Sequence, residues 1–288
     1  MPNYPGKYLR RSHPRPFLWI GLGCSILALV CACFVVKFVY DAVKASHARQ
    51  QTIDTYVIPM PTESEATLPN QPQSAPTAAL DEPPETTGET TVPTQPPRFP
   101  AIDFPGLREK NGDVVAWLQV PALEIINYPV AQGEDNAYYV SHSWDGEESE
   151  NGAIFLDFQN QGDFSQLHNI LYGHCMKDGS MFQSLGKWEG PEFFYSSDRT
   201  ILLYLPDETR VYEIFAVERV NALDSRVYRT DYTADEVWEA ALRETLHKSQ
   251  HGTDLELTAQ SEVLTLSTCI GEMNRLVVHA VCVEHVPL

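Results

Sequence analysis

From residue 101 onward, the chain alternates between short apolar runs and polar, turn-forming breaks. Each run is rich in Val, Ile, Leu, Tyr and Phe and is bounded by Gly, Pro, Asp or Asn, a pattern typical of β-strands. The runs that predict strands are EIINYPVA, GAIFLDF, NILYGH, TILLYLP, RVYEIFAVERV, EVLTLSTC and RLVVHAVCVEHV, with PDET as a hairpin turn after the fourth. Because strands outnumber helices, the pattern predicts a closed or nearly closed β-barrel with a few peripheral helices.

Two segments have a helical pattern instead. Thr233 and Glu236 have the spacing of a capping box, which predicts that ADEVWEAALRETLHKS forms a helix ending before Gly252. A second, shorter helix is predicted within REKNGDVVAWLQV, residues 108–120.

The N-terminal part has a different organisation. Residues 17–36 form an uncharged stretch of 20 residues, about the length that a helix needs to cross a bilayer. Basic residues are denser before this stretch, which predicts a cytoplasmic tail over residues 1–16 and an exterior location for the chain beyond the stretch. A cleaved signal peptide or a lipid-modified Cys33 are the alternative interpretations.

Residues 37–100 are predicted to be a juxtamembrane segment followed by a disordered linker. Residues 59–100 hold eleven prolines among Thr, Glu, Gln, Ser and Ala, and such a stretch buries too little apolar surface to fold. Residues 101–288 then have the length and composition of one compact domain.

Charge is concentrated in that domain, which carries 31 Asp and Glu against 12 Lys and Arg. An acidic surface disfavours nucleic acid and anionic lipid as partners. It could attract an amine or a basic peptide, or it could be a solvated surface without a partner.

Cysteine usage points to a free thiol. The predicted membrane span contains three of the six cysteines, and the outer domain contains Cys175, Cys269 and Cys282. An odd number outside the cell leaves at least one thiol unpaired unless another chain supplies a partner. The domain has no CxxC pair and no recognised zinc-ligand spacing, so we expect no metal and no other cofactor.

Three residue types that support acyl transfer lie at predicted strand ends. Cys269 ends one strand, Arg275 begins the next, and His174 follows a third. A thiolate can attack a peptide carbonyl, an imidazolium can protonate the leaving amine, and a guanidinium can support the oxyanion. Each residue also has an ordinary structural interpretation, and only their combination points to catalysis.

The motifs around these residues resemble those of the sortases, and of the class B members in particular. TLSTC before an arginine that begins a strand, and YGHCMKDGSMF around His174, carry the resemblance. It extends to DVVAWLQV, INYPVAQGEDNAYYVSHSWDG and GAIFLDFQN, and so covers nearly all of residues 106–285.

The resemblance implies an eight-stranded barrel and a membrane-anchored, extracellular cysteine transpeptidase of Gram-positive bacteria. Such an enzyme cleaves a C-terminal sorting motif of a secreted surface protein, of the NPxTx kind in class B, and passes the acyl group to an amine of the cell wall or of a pilin. By matching motifs, Cys269 is the nucleophile, His174 the general acid and Arg275 the group that stabilises the oxyanion or positions the substrate. The implied lining residues are Tyr172, Ser267, Thr268 and Asn136.

Two departures from the class B pattern affect these expectations. Arg275 lies six positions after Cys269, a shorter spacing than in most class B members. If Arg275 did not reach the groove, Arg226 or Arg229 would be the substitutes. Cys175 stands where class B sequences often have asparagine, and we expect it to face away from Cys269 as a passive small residue.

Two alternatives for the function stay open. A hydrolytic cysteine peptidase would use the same cysteine and histidine but release the acyl group to water. A tethered surface-binding module would use the barrel for adhesion, and Cys269 would then be incidental. The acidic DGEESENG lacks the ligand pattern of an EF-hand, so no calcium requirement is expected, although class A sortases use calcium.

Overall fold

The structure is a computed structural model, and it describes residues 16–60, 98–270 and 273–288. Its contacts divide the chain into two compact units, with the boundary between Gln50 and Gln51. Four α-helices occur in the described ranges, and they are α1 (Pro16–Tyr56), α2 (Phe104–Lys110), α3 (Pro191–Ser196) and α4 (Glu236–Lys248). Short 3₁₀ helices cover Pro121–Leu123, Tyr138–Val140 and Gln183–Glu189.

The predicted membrane anchor, residues 17–36, falls within α1, and the side chains of residues 16–26 lie outside the described part of the chain. Among the described residues, no helix is both long enough and apolar enough to cross a bilayer. Residues 1–15 of the predicted tail and residues 61–97 of the predicted linker also lie outside the described residues. The domain boundaries proposed from the sequence therefore stay predictions.

Ten strands are described, and eight of them close into the barrel that the sequence predicted. A separate two-stranded ribbon joins β1 (Val57–Ile58) to β2 (Ala101–Ile102). The barrel strands are β3 (Val114–Gln119), β4 (Asn127–Ala131), β5 (Ile154–Leu156), β6 (His168–Tyr172), β7 (Thr200–Tyr204), β8 (Glu208–Asn221), β9 (Val263–Cys269) and β10 (Asn274–Pro287). Around the barrel the order is β10-β8-β7-β3-β4-β5-β6-β9.

All seven strands predicted from the apolar runs are present. The prediction of a helix within residues 108–120 is wrong for the second half of that segment. Residues Val114–Gln119 form β3, which pairs with both β4 and β7. Helix α2 lies earlier in the chain, where Asp103 caps its N-terminus by accepting a hydrogen bond from Gly106 N. The run VVAWLQ suits a strand buried on both faces, which periodicity alone does not distinguish from a short buried helix.

The predicted C-terminal helix is confirmed as α4, but its cap differs from the prediction. The side chain of Asp235, rather than that of Thr233, accepts hydrogen bonds from Val237 N and Trp238 N. The Thr233 hydroxyl instead donates to the Asp235 carboxylate. Asp is as good an N-cap as Thr, so the local sequence offered two caps two residues apart.

The barrel interior is an apolar core that fixes which side of each strand faces outward. Leu118, Leu156, Leu266 and Val278 are all fully buried within it. A second cluster on the outside of the barrel joins Phe104 and Trp117 with Tyr56 and Val57, so the folded unit includes the residues just after Gln50. A third cluster packs α4 against β8 and β10 through Trp238, Phe215 and Val281.

Buried polar side chains also connect strands of the barrel. His168 Nδ1 donates to the Arg229 carbonyl at 2.7 Å, and its Nε2 lies 2.8 Å from the Thr265 hydroxyl. The Thr265 oxygen also contacts His279 Nδ1, and His279 Nε2 lies 3.2 Å from the Glu218 carboxylate. Burial lowers the pKa of His168 to about 3. The ring is therefore neutral at neutral pH, and Nε2 accepts the Thr265 hydroxyl hydrogen.

We predict that the free energy of unfolding falls as the pH drops from about 6.5 toward about 3. Unfolded His168 takes up a proton near the ordinary histidine pKa of ~6.5, whereas the folded ring resists protonation down to about 3, so acid favours the unfolded state over that interval. Denaturant unfolding at a series of pH values measures this dependence. His168→Gln should lose part of it, and His247→Gln, at an exposed position of α4, should keep it. Parallel curves for the parent and His168→Gln would contradict the assignment.

Candidate active site

The hairpin between β9 and β10 places Cys269 directly opposite Arg275. The two are paired in the antiparallel ladder, and Ile270 N donates to Asn274 O at 3.0 Å to close the hairpin. Paired residues of antiparallel strands carry their side chains on the same face of the sheet. The six-residue spacing therefore brings the thiol and the guanidinium to one face, and residues 271–272 of the connection lie outside the described residues.

The parallel ladder between β6 and β9 brings His174 to the other side of Cys269. Tyr172 pairs with Ser267, and Gly173 N continues the ladder by donating to Ser267 O at 3.2 Å. His174 and Cys269 each follow two residues after that pair. Neighbouring strands lie about 4.8 Å apart, so the ladder aligns His174, Cys269 and Arg275 across three adjacent segments of chain.

These three side chains line one groove with a volume of about 560 Å³. Every residue that the sequence placed at the site lines it, namely Cys269, His174, Arg275, Tyr172, Ser267, Thr268 and Asn136. Cys269 and Arg275 are partly exposed, as a reactive thiol and a substrate-binding cation must be. Residues 222–225, which lie directly after β8, form another part of the wall.

A backbone contact and a glycine position His174. Its Nε2 donates to the Val140 carbonyl at 2.7 Å, since a carbonyl oxygen can only accept. Gly152 passes beside the ring with φ of +59°, and a Cβ there would lie 2.6 Å from Tyr139 O and 3.0 Å from His174 Cδ2. Only glycine combines this left-handed backbone with so close an approach. The sequence alone does not reveal this role of Gly152, because nothing near it in the chain points to the histidine.

Asp157 organises one wall of the groove and was also missed. Its side chain is almost fully buried and accepts hydrogen bonds from Tyr172 Oη at 2.8 Å and Asn136 Nδ2 at 3.0 Å. Burial, with help from the Asp157 carboxylate, raises the pKa of Tyr172, which therefore remains a protonated donor. An acid at the end of the apolar GAIFLD run was the available signal, since a buried carboxylate needs several donors.

Tyr228 adds an aromatic surface between the two walls. Its ring stacks on that of Tyr172 with centroids 6.1 Å apart, and its hydroxyl lies 3.1 Å from Ser267 Oγ. Burial raises the pKa of Tyr228. The groove thus has two flat aromatic side chains beside the thiol, suited to an extended peptide.

The two arginines considered as substitutes for Arg275 do not line the groove. The Arg226 side chain is only slightly exposed and forms an ion pair with Glu218 at 2.9 Å. Arg229 is paired with Asp231 at 2.7 Å and lies over the ring of Tyr232. Arg275 is the arginine that reaches the thiol side of the groove.

Cys175 is a free, exposed cysteine that does not line the groove. It lies just beyond the end of β6 and forms an isolated antiparallel bridge with Met181. Burial, and to a smaller extent the Cys269 thiol, raises its pKa, which disfavours the reactive thiolate form.

Comparisons with known proteins give one family. The family model described as the sortase domain matches residues 118–283. Sortase B of Listeria monocytogenes is 33% identical over 151 residues, which cover 50% of this chain and 58% of the relative, so the match spans less than two thirds of that protein.

Solved structures give the same result. A crystal structure of sortase B from Bacillus anthracis, in complex with AAEK1, is 36% identical with a TM-score of 0.58 and covers 63% of this chain and 84% of that one. A Staphylococcus aureus sortase B–substrate complex is 29% identical with a TM-score of 0.59 and covers 63% of this chain and 84% of that one.

We predict that Gly152→Ala lowers the free energy of unfolding by about 1–3 kcal/mol, because a side chain there strains the backbone and meets the residues that position His174. Gly186→Ala is the matched control, since a Cβ at Gly186 meets no atom within 4 Å, and it should be neutral or slightly stabilising. Denaturant unfolding of both variants measures the difference. Equal free energies of unfolding for Gly152→Ala and Gly186→Ala would show that the close approach at Gly152 does not require a glycine.

Proposed function

Because this chain belongs to the sortase family, we propose that it is a class B-like cysteine transpeptidase acting on secreted proteins that carry a C-terminal sorting motif. One observation carries the proposal. The ladders of β6, β9 and β10 align His174, Cys269 and Arg275 along one groove. The chain spans less than two thirds of the length of its curated relatives, and its own residues supply each step of the proposed reaction.

In the first half-reaction, the Cys269 thiolate attacks the carbonyl carbon of the scissile peptide bond. The resulting oxyanion is stabilised by the guanidinium of Arg275, which lies on the same face of the hairpin as the thiol. The carbon–nitrogen bond breaks, the leaving amine takes a proton from His174, and the acyl part stays on sulfur as a thioester.

In the second half-reaction, an acceptor amine attacks the thioester and the Cys269 thiolate leaves. The histidine takes a proton from the incoming amine, which restores the starting state. Because Nε2 of His174 is held by the Val140 carbonyl, proton transfer uses Nδ1 or requires that this contact opens. The acceptor is an amine of a peptidoglycan precursor or a lysine of a pilin subunit.

The substrate half of the proposal rests on the groove and on the relatives. A S. aureus sortase B structure is described as a substrate complex, and the groove of this chain has the aromatic surface of Tyr172 and Tyr228, which suits an extended peptide. Class B resemblance favours an NPxTx motif. The acidic domain also suits an amine acceptor, since opposite charge raises the local concentration of a cation.

Membrane anchoring belongs to the same proposal. The uncharged residues 17–36 and the basic residues before them support a single span with a cytoplasmic N-terminus and an extracellular enzyme domain. Exposed apolar side chains of α1, such as Leu29, Phe34 and Val36, are consistent with a lipid contact.

We predict that the full-length chain, incubated with a library of sorting peptides, forms a covalent thioester adduct at Cys269. Adding an amine should shift the products from free acid to the joined peptide, because water and the amine compete for the same thioester. Mass spectrometry reads the adduct and both products. Cys269→Ala should abolish all three, and the matched variant Cys175→Ala should stay within a few-fold of the parent.

The same experiment separates the alternatives. Acid released at the same rate with and without amine would identify a hydrolytic peptidase. Failure of Cys269 to react with either sorting peptides or a thiol-reactive peptide in the folded chain would favour a surface-binding module and overturn the proposal.

We predict that Arg275→Ala lowers kcat by about 10²–10³-fold, the usual cost of losing a donor to the oxyanion. Arg275→Lys should recover part of the loss, because it keeps the charge but not the planar fork of donors. Arg229→Ala, an exposed arginine outside the groove, serves as control and should change kcat little. Steady-state kinetics with one sorting peptide tests this, and equal effects of Arg275→Ala and Arg229→Ala would remove Arg275 from the mechanism.

A further inference from the structure

A second cluster of reactive side chains lies at the end of the barrel opposite to the groove. Glu262 immediately precedes β9, whereas Cys269 ends that strand, so the two ends are separated by about 20 Å at 3.3 Å per residue. Next to Glu262 lie Cys282 and His285 of β10, and the ligand atoms of all three lie within 4.8 Å of one another. Neither half-reaction uses them.

A β-bulge creates this juxtaposition. In a regular strand Cys282 and His285 would point to opposite faces, because His285 lies three positions, an odd number, after Cys282. In the pairing of β10 with β8, Cys282 lies opposite Tyr212 and Glu284 opposite Val211, so Val283 is an extra residue. One extra residue reverses the alternation, and Cys282 and His285 therefore share a face.

Glu262, the third residue of the cluster, is held next to Cys282 by the pairing of β9 with β10. Cys282 N donates to Glu262 O at 2.8 Å, just beyond the last β9–β10 pair. His285 Nε2 lies 3.6 Å from the Glu262 carboxylate. The thiol, the imidazole and the carboxylate thus come from two adjacent segments of backbone that are fixed by the barrel ladder.

A hydrogen bond from Nδ1 fixes the orientation of the His285 ring. Nδ1 lies 3.0 Å from the Glu208 carboxylate, which can only accept, so Nδ1 carries a hydrogen and Nε2 is the nitrogen that faces Glu262. A carboxylate holding the second nitrogen of a histidine is the usual outer support of a metal-ligating imidazole. Glu208 supplies that support here.

Charge at the cluster also favours a cation. The guanidinium of Arg210 contacts Glu208 at 2.6 Å and Glu262 at 3.3 Å. A divalent ion that displaces the thiol proton of Cys282 would leave two carboxylates and a thiolate, whose charges the ion and Arg210 balance.

We propose that Glu262, Cys282 and His285 form a zinc site that joins the C-terminal end of β10 to the start of β9. Sulfur, nitrogen and carboxylate ligands suit zinc, with bonds of about 2.0–2.3 Å and tetrahedral geometry, whereas magnesium and calcium prefer oxygen ligands alone. The ligand atoms need to approach by about 1 Å to reach that geometry, which rotation of the partly exposed His285 and Glu262 side chains allows. Water completes the fourth position.

The site has a structural consequence. Beyond Val281, β10 pairs with β8 but no longer with β9. The last part of β10 is therefore an open edge on one side, and a metal bridge between Cys282, His285 and Glu262 replaces the missing ladder. The spacing of Cys282 and His285 does not indicate a zinc site from the sequence, because the two residues would fall on opposite faces of a strand without the bulge.

Metal binding to the full-length chain tests the proposal. After treatment with a chelator, the chain is titrated with zinc and with cobalt(II) as a spectroscopic probe. We expect about one zinc ion per chain, a thiolate-to-cobalt charge-transfer band, and a higher melting temperature with zinc. Cys282→Ser and His285→Asn should each abolish the cobalt–thiolate band, and Glu208→Gln should weaken binding about 10–100-fold.

Cys175→Ser is the matched control, because it removes an exposed thiol elsewhere and should leave the band and the stoichiometry unchanged. Absence of a thiolate band in the parent, or an unchanged band in Cys282→Ser, would overturn the proposal. The parent spectrum is decisive even if a variant folds poorly, and it does not depend on transpeptidase activity.

Discussion

The site depends on strand register between β6, β9 and β10. The parallel ladder from His168 to Tyr172 sets where the chain that carries His174 meets β9, and the antiparallel ladder from Arg275 to Val281 sets which residue lies opposite Cys269. Because side chains alternate along a strand, a slip of one residue in either ladder would turn one of the three groups to the wrong face. The apolar interior prevents such a slip, since the same slip would move Leu266 and Val278 out of the core.

Loops that connect the barrel strands complete the groove, and hydrogen bonds to residues at the strand ends fix their positions. Asp157 lies just after β5 and holds Tyr172 and Asn136 by charged hydrogen bonds. The Val140 carbonyl holds His174, and Gly152 allows that segment to pass close to the ring. Each of these contacts joins residues distant along the chain. The reacting groups are thus positioned by a rigid scaffold before any substrate arrives, which is where much of the catalytic effect of such sites originates.

The strands were predictable because their composition and turn residues are local signals. All the site residues at strand ends, such as Cys269 and His174, followed from those signals and from the family motifs. The strand β3 was assigned to a helix because its apolar run carries no alternation, and the cap of α4 was misplaced because Thr233 and Asp235 both suit an N-cap. Gly152, Asp157 and the pair Cys282 and His285 act through contacts or a bulge that only the folded barrel defines, so no local pattern reveals them.

A crystal structure of the chain with a sorting-peptide aldehyde attached to Cys269 would show whether the three groups meet at the substrate. We predict that the peptide lies in the groove, that its former carbonyl oxygen is within hydrogen-bond distance of the Arg275 guanidinium, and that a ring nitrogen of His174 is within reach of the leaving-group side. A sulfur directed into the apolar interior, or an adduct with Arg275 and His174 both turned away from the peptide, would contradict this prediction.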